Sequence, residues 1–154
     1  IKFRTMIVNA EKIGDGLTVK SEDDSRITKV GKLLRKTSLD ELPQLINVLK
    51  GDMSLVGPRP PATYSPYDGY ENYPEWAKRR FDMRPGMTGL AQITVRNSVV
   101  WDKRIVIDNI YIDEFNILLD TKILLLTVAR IIKPQSIYYS TPVAREVKAK
   151  DLNI

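Results

Sequence analysis

Ser38-Leu39-Asp40-Glu41-Leu42-Pro43-Gln44-Leu45-Ile46-Asn47-Val48-Leu49-Lys50-Gly51 is the stretch on which the reading of the whole chain turns. Its second half sets Leu42, Leu45, Ile46 and Leu49 at helical spacing, and Gly51 stands where such a helix would stop. Its first half admits two starts. Ser38 and Glu41, three apart ahead of an apolar run, have the pattern of a capping box, in which both side chains satisfy free backbone N–H groups. A helix begun at Ser38 puts Pro43 at its fifth position, where the ring meets the preceding turn. A start at Asp40 leaves Pro43 in the first turn, where it is tolerated. The expected helix therefore runs from Asp40 to Lys50. Adjacent carboxylates then stand at a helix N-terminus, where aligned peptide dipoles favour anions. Such a carboxylate is a competent nucleophile toward phosphorus once a cation neutralises the approaching phosphate.

Upstream, Thr28 to Lys36 reads as a helix with Val30, Leu33 and Leu34 on one side, and residues 2–8 alternate as a short strand. Asn9 to Arg26 is polar, carries a Gly14-Asp15-Gly16 turn, and reads as loop. Downstream, Gly57-Pro58-Arg59-Pro60 sets one arginine between two prolines. Their fixed φ presents a single guanidinium, suited to a bidentate phosphate contact. A surface turn accounts for the tripeptide equally well; its place one helix after Asp40-Glu41 gives it weight. Pro58 to Gly86 carries six prolines together with Tyr64, Tyr67, Tyr70, Tyr73 and Trp76. Regular structure there is confined to a helix near Pro74 to Phe81. Gly89 to Val95 reads as a strand. Val100 to Phe115 and Asp120 to Ile132 read as helices, with Asp120 capping the second and Pro134 ending it. The expected fold is α+β, one mainly helical domain over residues 1–154 with a few short strands.

The 154 residues include no cysteine and no histidine. That excludes a disulfide framework, a cysteine zinc site and every Ser-His or Cys-His pair. Chemistry falls to carboxylates, hydroxyls, lysines and arginines, with any cation held by oxygen. The net charge of +5 suits nucleic acid, anionic lipid or nucleotide phosphates, and a solvated basic surface with no partner as well. The 19 acidic residues are interspersed with the 24 basic ones and leave no long cationic cluster, so nucleic acid is not an expected partner. No apolar run approaches the roughly 20 residues of a spanning helix. The chain opens at Ile1 inside an alternating pattern, as a sequence does that has lost upstream residues.

Several stretches carry a resemblance, and they do so in order along the chain. They are Lys2-Phe-Arg-Thr-Met6, the run from Arg26 to Pro60, Arg84-Pro-Gly-Met-Thr-Gly89-Leu-Ala-Gln92, Arg96-Asn97, Trp101-Asp-Lys103, Asp108-Asn-Ile-Tyr111 and Asp120-Thr-Lys-Ile-Leu. Together they resemble the monotopic phosphoglycosyl transferases, the bacterial sugar transferases that start capsule, exopolysaccharide and glycan assembly on undecaprenyl phosphate. The resemblance covers residues 2–133.

It implies that Asp40 attacks the β-phosphorus of a UDP-sugar, releases UMP and passes the phosphosugar to polyprenyl phosphate. It also implies Mg²⁺ held by Glu41 with Asp40, phosphates gripped by Arg59 and Arg35, and Arg84 and Arg96 near the nucleotide. Asp108 matches an acidic position of the pattern and joins the substrate-binding set, with helix-surface pairing as its other account. The implied location is the cytoplasmic face of the bacterial inner membrane. Family members carry a re-entrant membrane segment ahead of the matched region, and membrane contact is expected to come through that segment, missing here. The stretch from Tyr64 to Trp76 is a second interfacial candidate, with local tyrosine packing as the alternative. A nucleic-acid module and a catalytically silent scaffold are the rival readings. The sugar carried and the oligomeric state are not legible.

Overall fold

The computed structural model describes residues 1–13, 24–61, 66–95 and 101–132. The Gly14–Gly16 turn, Tyr64, Arg96 and Pro134 lie outside the described residues. Helix α1 (Lys29–Thr37) starts where Thr28, in extended backbone, accepts the Gly31 N–H on its side chain at 2.9 Å. It ends at Ser38, whose φ of 57° is left-handed. Ser38 is thus the terminus of α1, its hydroxyl caps nothing, and the capping box does not form.

The helix expected from Asp40 to Lys50 is divided. Leu39–Glu41 forms a 3₁₀ turn, Pro43 stands at the N-cap position, and α2 (Gln44–Lys50) follows. Pro43 divides them because it has no N–H to continue the ladder from the turn before it. Gly51 closes α2 at φ 82°, as its position predicted.

Beyond it come β1 (Ser54–Val56), α3 (Glu75–Lys78), β2 (Gly86–Thr88), α4 (Leu90–Thr94), α5 (Trp101–Asp113) and α6 (Ile117–Ile132). Short 3₁₀ turns also stand at Ala10–Lys12 and at Tyr70–Asn72, the latter in the proline-rich stretch where no such element was expected, and Arg79–Asp82 forms another that continues α3. The strands pair in parallel, Ser54 opposite Gly86 and Val56 opposite Thr88. The fold is α+β and mainly helical, as expected.

Three local expectations are corrected. Residues 2–8 form no strand: their ladder pairing is one isolated antiparallel bridge, Met6 to Ile27. Gly89 to Val95 is not a strand: it holds α4, with Leu90, Ala91 and Ile93 buried. Five residues are too few for periodicity to separate a helix from a strand. Asp120 is not a cap, because α6 begins at Ile117 and Asn116 accepts the Leu119 N–H at 2.9 Å. Asp120 instead accepts the Tyr111 hydroxyl at 2.7 Å.

Val56, Leu90, Ile93, Ile107, Tyr111, Leu119 and Ile123 make the main core between the strands and α4, α5 and α6. Tyr73, Ala77 and Ile105 form a smaller cluster with Tyr67 against it. Tyr67 and Tyr73 stack with centroids 4.8 Å apart, so this part of the tyrosine-rich stretch packs on itself.

Two glycines bring the site's turn onto the strands. A Cβ on Gly86 would meet Gly57 N at 2.1 Å, and one on Gly57 would meet Arg84 O at 2.5 Å. With both absent, Gly57 N donates to Thr88 O and Gly86 N to Pro58 O, each at 2.9 Å. The Pro58-Arg59-Pro60 turn is seated on the end of the sheet by these bonds.

Candidate active site

The 3₁₀ turn holds Asp40 and Glu41, and the N-terminal segment crosses it, with Phe3 N donating to Asp40 O at 3.0 Å. This crossing brings Lys2 over the carboxylates. Its Nζ lies 3.2 Å from Asp40 Oδ2 and donates to Glu41 Oε1 at 2.8 Å. Arg59 Nη2 reaches the same Glu41 oxygen at 3.3 Å. Arg59, 18 residues further along the chain, is thereby brought against Glu41 beside Asp40.

Asp40 is 5% exposed, so its carboxylate is sheltered, whereas Lys2 and Arg59 are both partly open to solvent. Desolvation pushes the Glu41 carboxyl up, but the charges of Arg59 and Lys2, and hydrogen bonds from both, outweigh it and leave the group below its ordinary range. Two carboxylates face two cations here. The arrangement offers guanidinium and ammonium donors at the edge of the site and a sheltered carboxylate beneath them.

The donor set is oxygen only, which suits a hard cation. Among the described residues no cluster of three or more metal-ligating side chains occurs. Mg²⁺, which takes one or two carboxylates and completes its shell with water, fits such a set.

Among the other sequence candidates, Arg35, Arg84 and Asp108 have surroundings of their own. Arg35 donates from Nε to Thr5 Oγ1 at 2.9 Å and so ties the N-terminal segment to α1. Arg84 is exposed, with its guanidinium beside Gly51 at the end of α2. Arg96 is outside the described residues. Asp108 is corrected as a helix-surface group: it is 1% exposed and lies 2.9 Å from Arg80 Nη2.

Two residues escaped the sequence reading. Lys2 was present in the matched Lys-Phe-Arg-Thr-Met run but had no role there. Arg80, which donates from Nη2 to the Arg59 carbonyl, stands beside Arg79 with no local pattern to mark it as buried.

Residues 1–134 match the family model described as bacterial sugar transferase. The chain belongs to the bacterial sugar transferase family. It is 52% identical over 137 residues to Galactosyl transferase CpsE of Streptococcus agalactiae serotype III, covering 82% of this chain and 30% of that protein. It is 45% identical over 145 residues to the uncharacterized sugar transferase EpsL of Bacillus subtilis, covering 94% and 68%. It is 41% identical over 145 residues to UDP-glucose:undecaprenyl-phosphate glucose-1-phosphate transferase of Caulobacter vibrioides, covering 90% and 52%. The chain thus spans between 30% and 68% of these relatives' lengths. Lys2, Asp40, Glu41 and Arg59 all lie within this sugar transferase's matched region.

Proposed function

We propose that this sugar transferase moves a phosphosugar from a UDP-sugar to a polyprenyl phosphate, with residues 1–154 acting as its catalytic domain. One observation carries the reading: a sheltered carboxylate, Asp40, lies beneath a half-exposed ammonium and next to a carboxylate that a half-exposed guanidinium engages. The printed name of the Caulobacter relative, which contains a UDP-sugar and undecaprenyl phosphate, supports the substrate classes.

In the first step an Asp40 oxygen attacks the β-phosphorus. The bond from that phosphorus to the bridging oxygen breaks, UMP leaves with the electron pair, and the phosphosugar stays on the carboxylate as an acyl phosphate. Lys2 exchanges its contact with Asp40 for a phosphate oxygen, which frees the nucleophile and keeps the ammonium's charge paired. Arg59 holds the diphosphate in line. In the second step an oxygen of polyprenyl phosphate attacks the same phosphorus and the Asp40 carboxylate departs. Glu41 with Asp40 would hold Mg²⁺, which when bound supplies neutralisation of phosphate charge.

The lipid acceptor calls for a bilayer nearby. Among the described residues no helix is long and apolar enough to cross a membrane. Val30 and Leu33 on α1 and Leu45, Ile46 and Leu49 on α2 are nevertheless exposed, among Lys29, Lys32, Lys36 and Lys50. Such a basic, apolar surface suits the headgroup layer at the cytoplasmic face, alongside a re-entrant segment preceding residue 1.

The test is UMP release from a panel of UDP-sugars by the full-length protein with Mg²⁺, with intact-mass detection of a phosphosugar adduct. Asp40→Asn should abolish the adduct and lower turnover by about 10³-fold or more. Near wild-type turnover in that variant would defeat the nucleophile, and indifference to EDTA would remove the cation.

A further inference from the structure

We infer that Asp108 and Arg80 are positioning residues for Arg59: the buried pair fixes the carbonyl of the Pro58-Arg59-Pro60 turn from inside and so sets where the guanidinium meets phosphate. The inference rests on Arg59 being the phosphate contact described above.

The turn has an unusual difficulty. Pro58, Pro60 and Pro61 carry no N–H, so four successive residues offer one backbone donor between them. Carbonyls must anchor the turn instead. Pro58 O takes the Gly86 N–H at 2.9 Å, and Arg59 O takes a hydrogen from Arg80 Nη2. The first anchor is backbone and cannot be tuned. The second is a side chain 2% exposed, reaching in from the Arg79–Asp82 3₁₀ turn.

Burying a guanidinium is costly unless a counter-charge is at hand, several kcal/mol per ion even after relaxation. Asp108, reaching in from α5, is that counter-charge at 2.9 Å. Its Oδ2 accepts no aligned hydrogen bond among the described residues, so the contact is an ion pair and Arg80 can direct an Nη2 hydrogen to the Arg59 carbonyl. The Trp101 ring lies 5.5 Å from the Arg80 guanidinium and limits where it can turn. Burial pushes the Asp108 carboxyl up to about 7 against the pull of Arg80, Arg104 and Arg59, in that order. Arg59 is close enough for its charge to act on Asp108. A pair serving stability alone could be replaced by apolar side chains without loss; this one also supplies the donor that its turn lacks.

The experiment is a double-mutant cycle above pH 7 on the full-length protein, crossing Arg80→Met/Asp108→Leu with Arg59→Ala. The paired replacement removes both charges and keeps the volume filled. It should raise the UDP-sugar KM about tenfold with a smaller change in kcat, and add nothing once Arg59 is already alanine. Losses that add across the cycle, or an unchanged KM, overturn the inference. If the paired replacement does not fold, Arg80→Lys is read in the same cycle, because one ammonium cannot serve both Asp108 and the Arg59 carbonyl in the same geometry. Inorganic pyrophosphate binding, measured by calorimetry, repeats the cycle without turnover. Coupled losses there in a protein that releases no UMP from any UDP-sugar keep the positioning and sink the proposed reaction. UMP release with additive losses does the reverse.

Discussion

The segment from Ser54 to Ile132 and the one from Lys29 to Lys50 are built by different physics. The first closes around Ile105, Ile107 and Ile123, none with any exposure, and around Tyr111 at 1%. The second bury a single helical residue in α1, Gly31, and none in α2, while leaving Leu49 88% exposed. The proposed chemistry straddles the boundary between them. Arg59 and its supports belong to the packed region, and Asp40 and Glu41 to the thinly packed one. Arg59, seated on the packed region, thus faces a carboxylate pair on elements that lack a core of their own, held by polar ties such as Arg35 to Thr5 and Lys2 to Glu41.

The largest effect expected from this contrast is on stability. Ile123→Ala should lower the unfolding free energy by about 2–5 kcal/mol, since it opens a cavity in a filled interior. Leu49→Ala, at an open surface, should stay within about 0.5 kcal/mol. Urea unfolding of both proteins checks this, and comparable losses would mean that α2 is covered after all.

Next comes a pH slope that only the packed region can generate. The unfolded Asp108 carboxyl releases its proton near its ordinary 3.8, whereas the folded one keeps it up to about 7. Between these values the native state binds more protons, so its contribution to stability is fully present below the lower value and is lost as pH rises through the upper one. Urea midpoints should therefore decline across that window in the wild type and lose that component in Asp108→Asn. Glu41 is shifted the other way, below 4.5, because neighbouring cations outweigh its burial. Glu41→Gln should leave the slope above 4.5 unchanged. If Glu41→Gln removes that slope, the two carboxylates have been assigned to the wrong environments.

What the sequence made legible follows the same division. Period and punctuation found α1, α5 and the Gly51 stop, because these depend on neighbours along the chain. The nearness of Arg59 to Asp40-Glu41 was also readable, since one helix and one strand separate them and a resemblance drew attention to all three. Ser38 misled because its pattern fits a capping box while its backbone is left-handed, a dihedral that no spacing encodes. Asp108 misled because its partner is Arg80, on a different element, and only packing shows that both are interior. α4 was read as a strand because five residues are too few for the helical spacing of Leu90 and Ile93 to declare itself, and what decides is the core they face.

The smallest effect expected is also the one that asks what covers the open region. Exposed apolar side chains at α1 and α2 lie among lysines, so a bilayer bearing anionic headgroups would meet both the charge and the apolar area. Burying one leucine contributes about 1.5–3 kcal/mol at full depth, and a side chain at the headgroup boundary reaches only part of that. Leu49→Asp should therefore weaken sedimentation with phosphatidylglycerol vesicles by about tenfold, the equivalent of roughly 1.4 kcal/mol. The same change should leave the urea midpoint almost where it was, because nothing in the folded chain packs on that side chain closely enough to bury it. Vesicles of neutral lipid should bind both proteins weakly, and added salt should erase most of the preference, since exposed charges are screened beyond about 8 Å at physiological ionic strength. Binding that ignores both the substitution and the salt would take α2 out of the membrane contact and leave the bilayer to other surfaces.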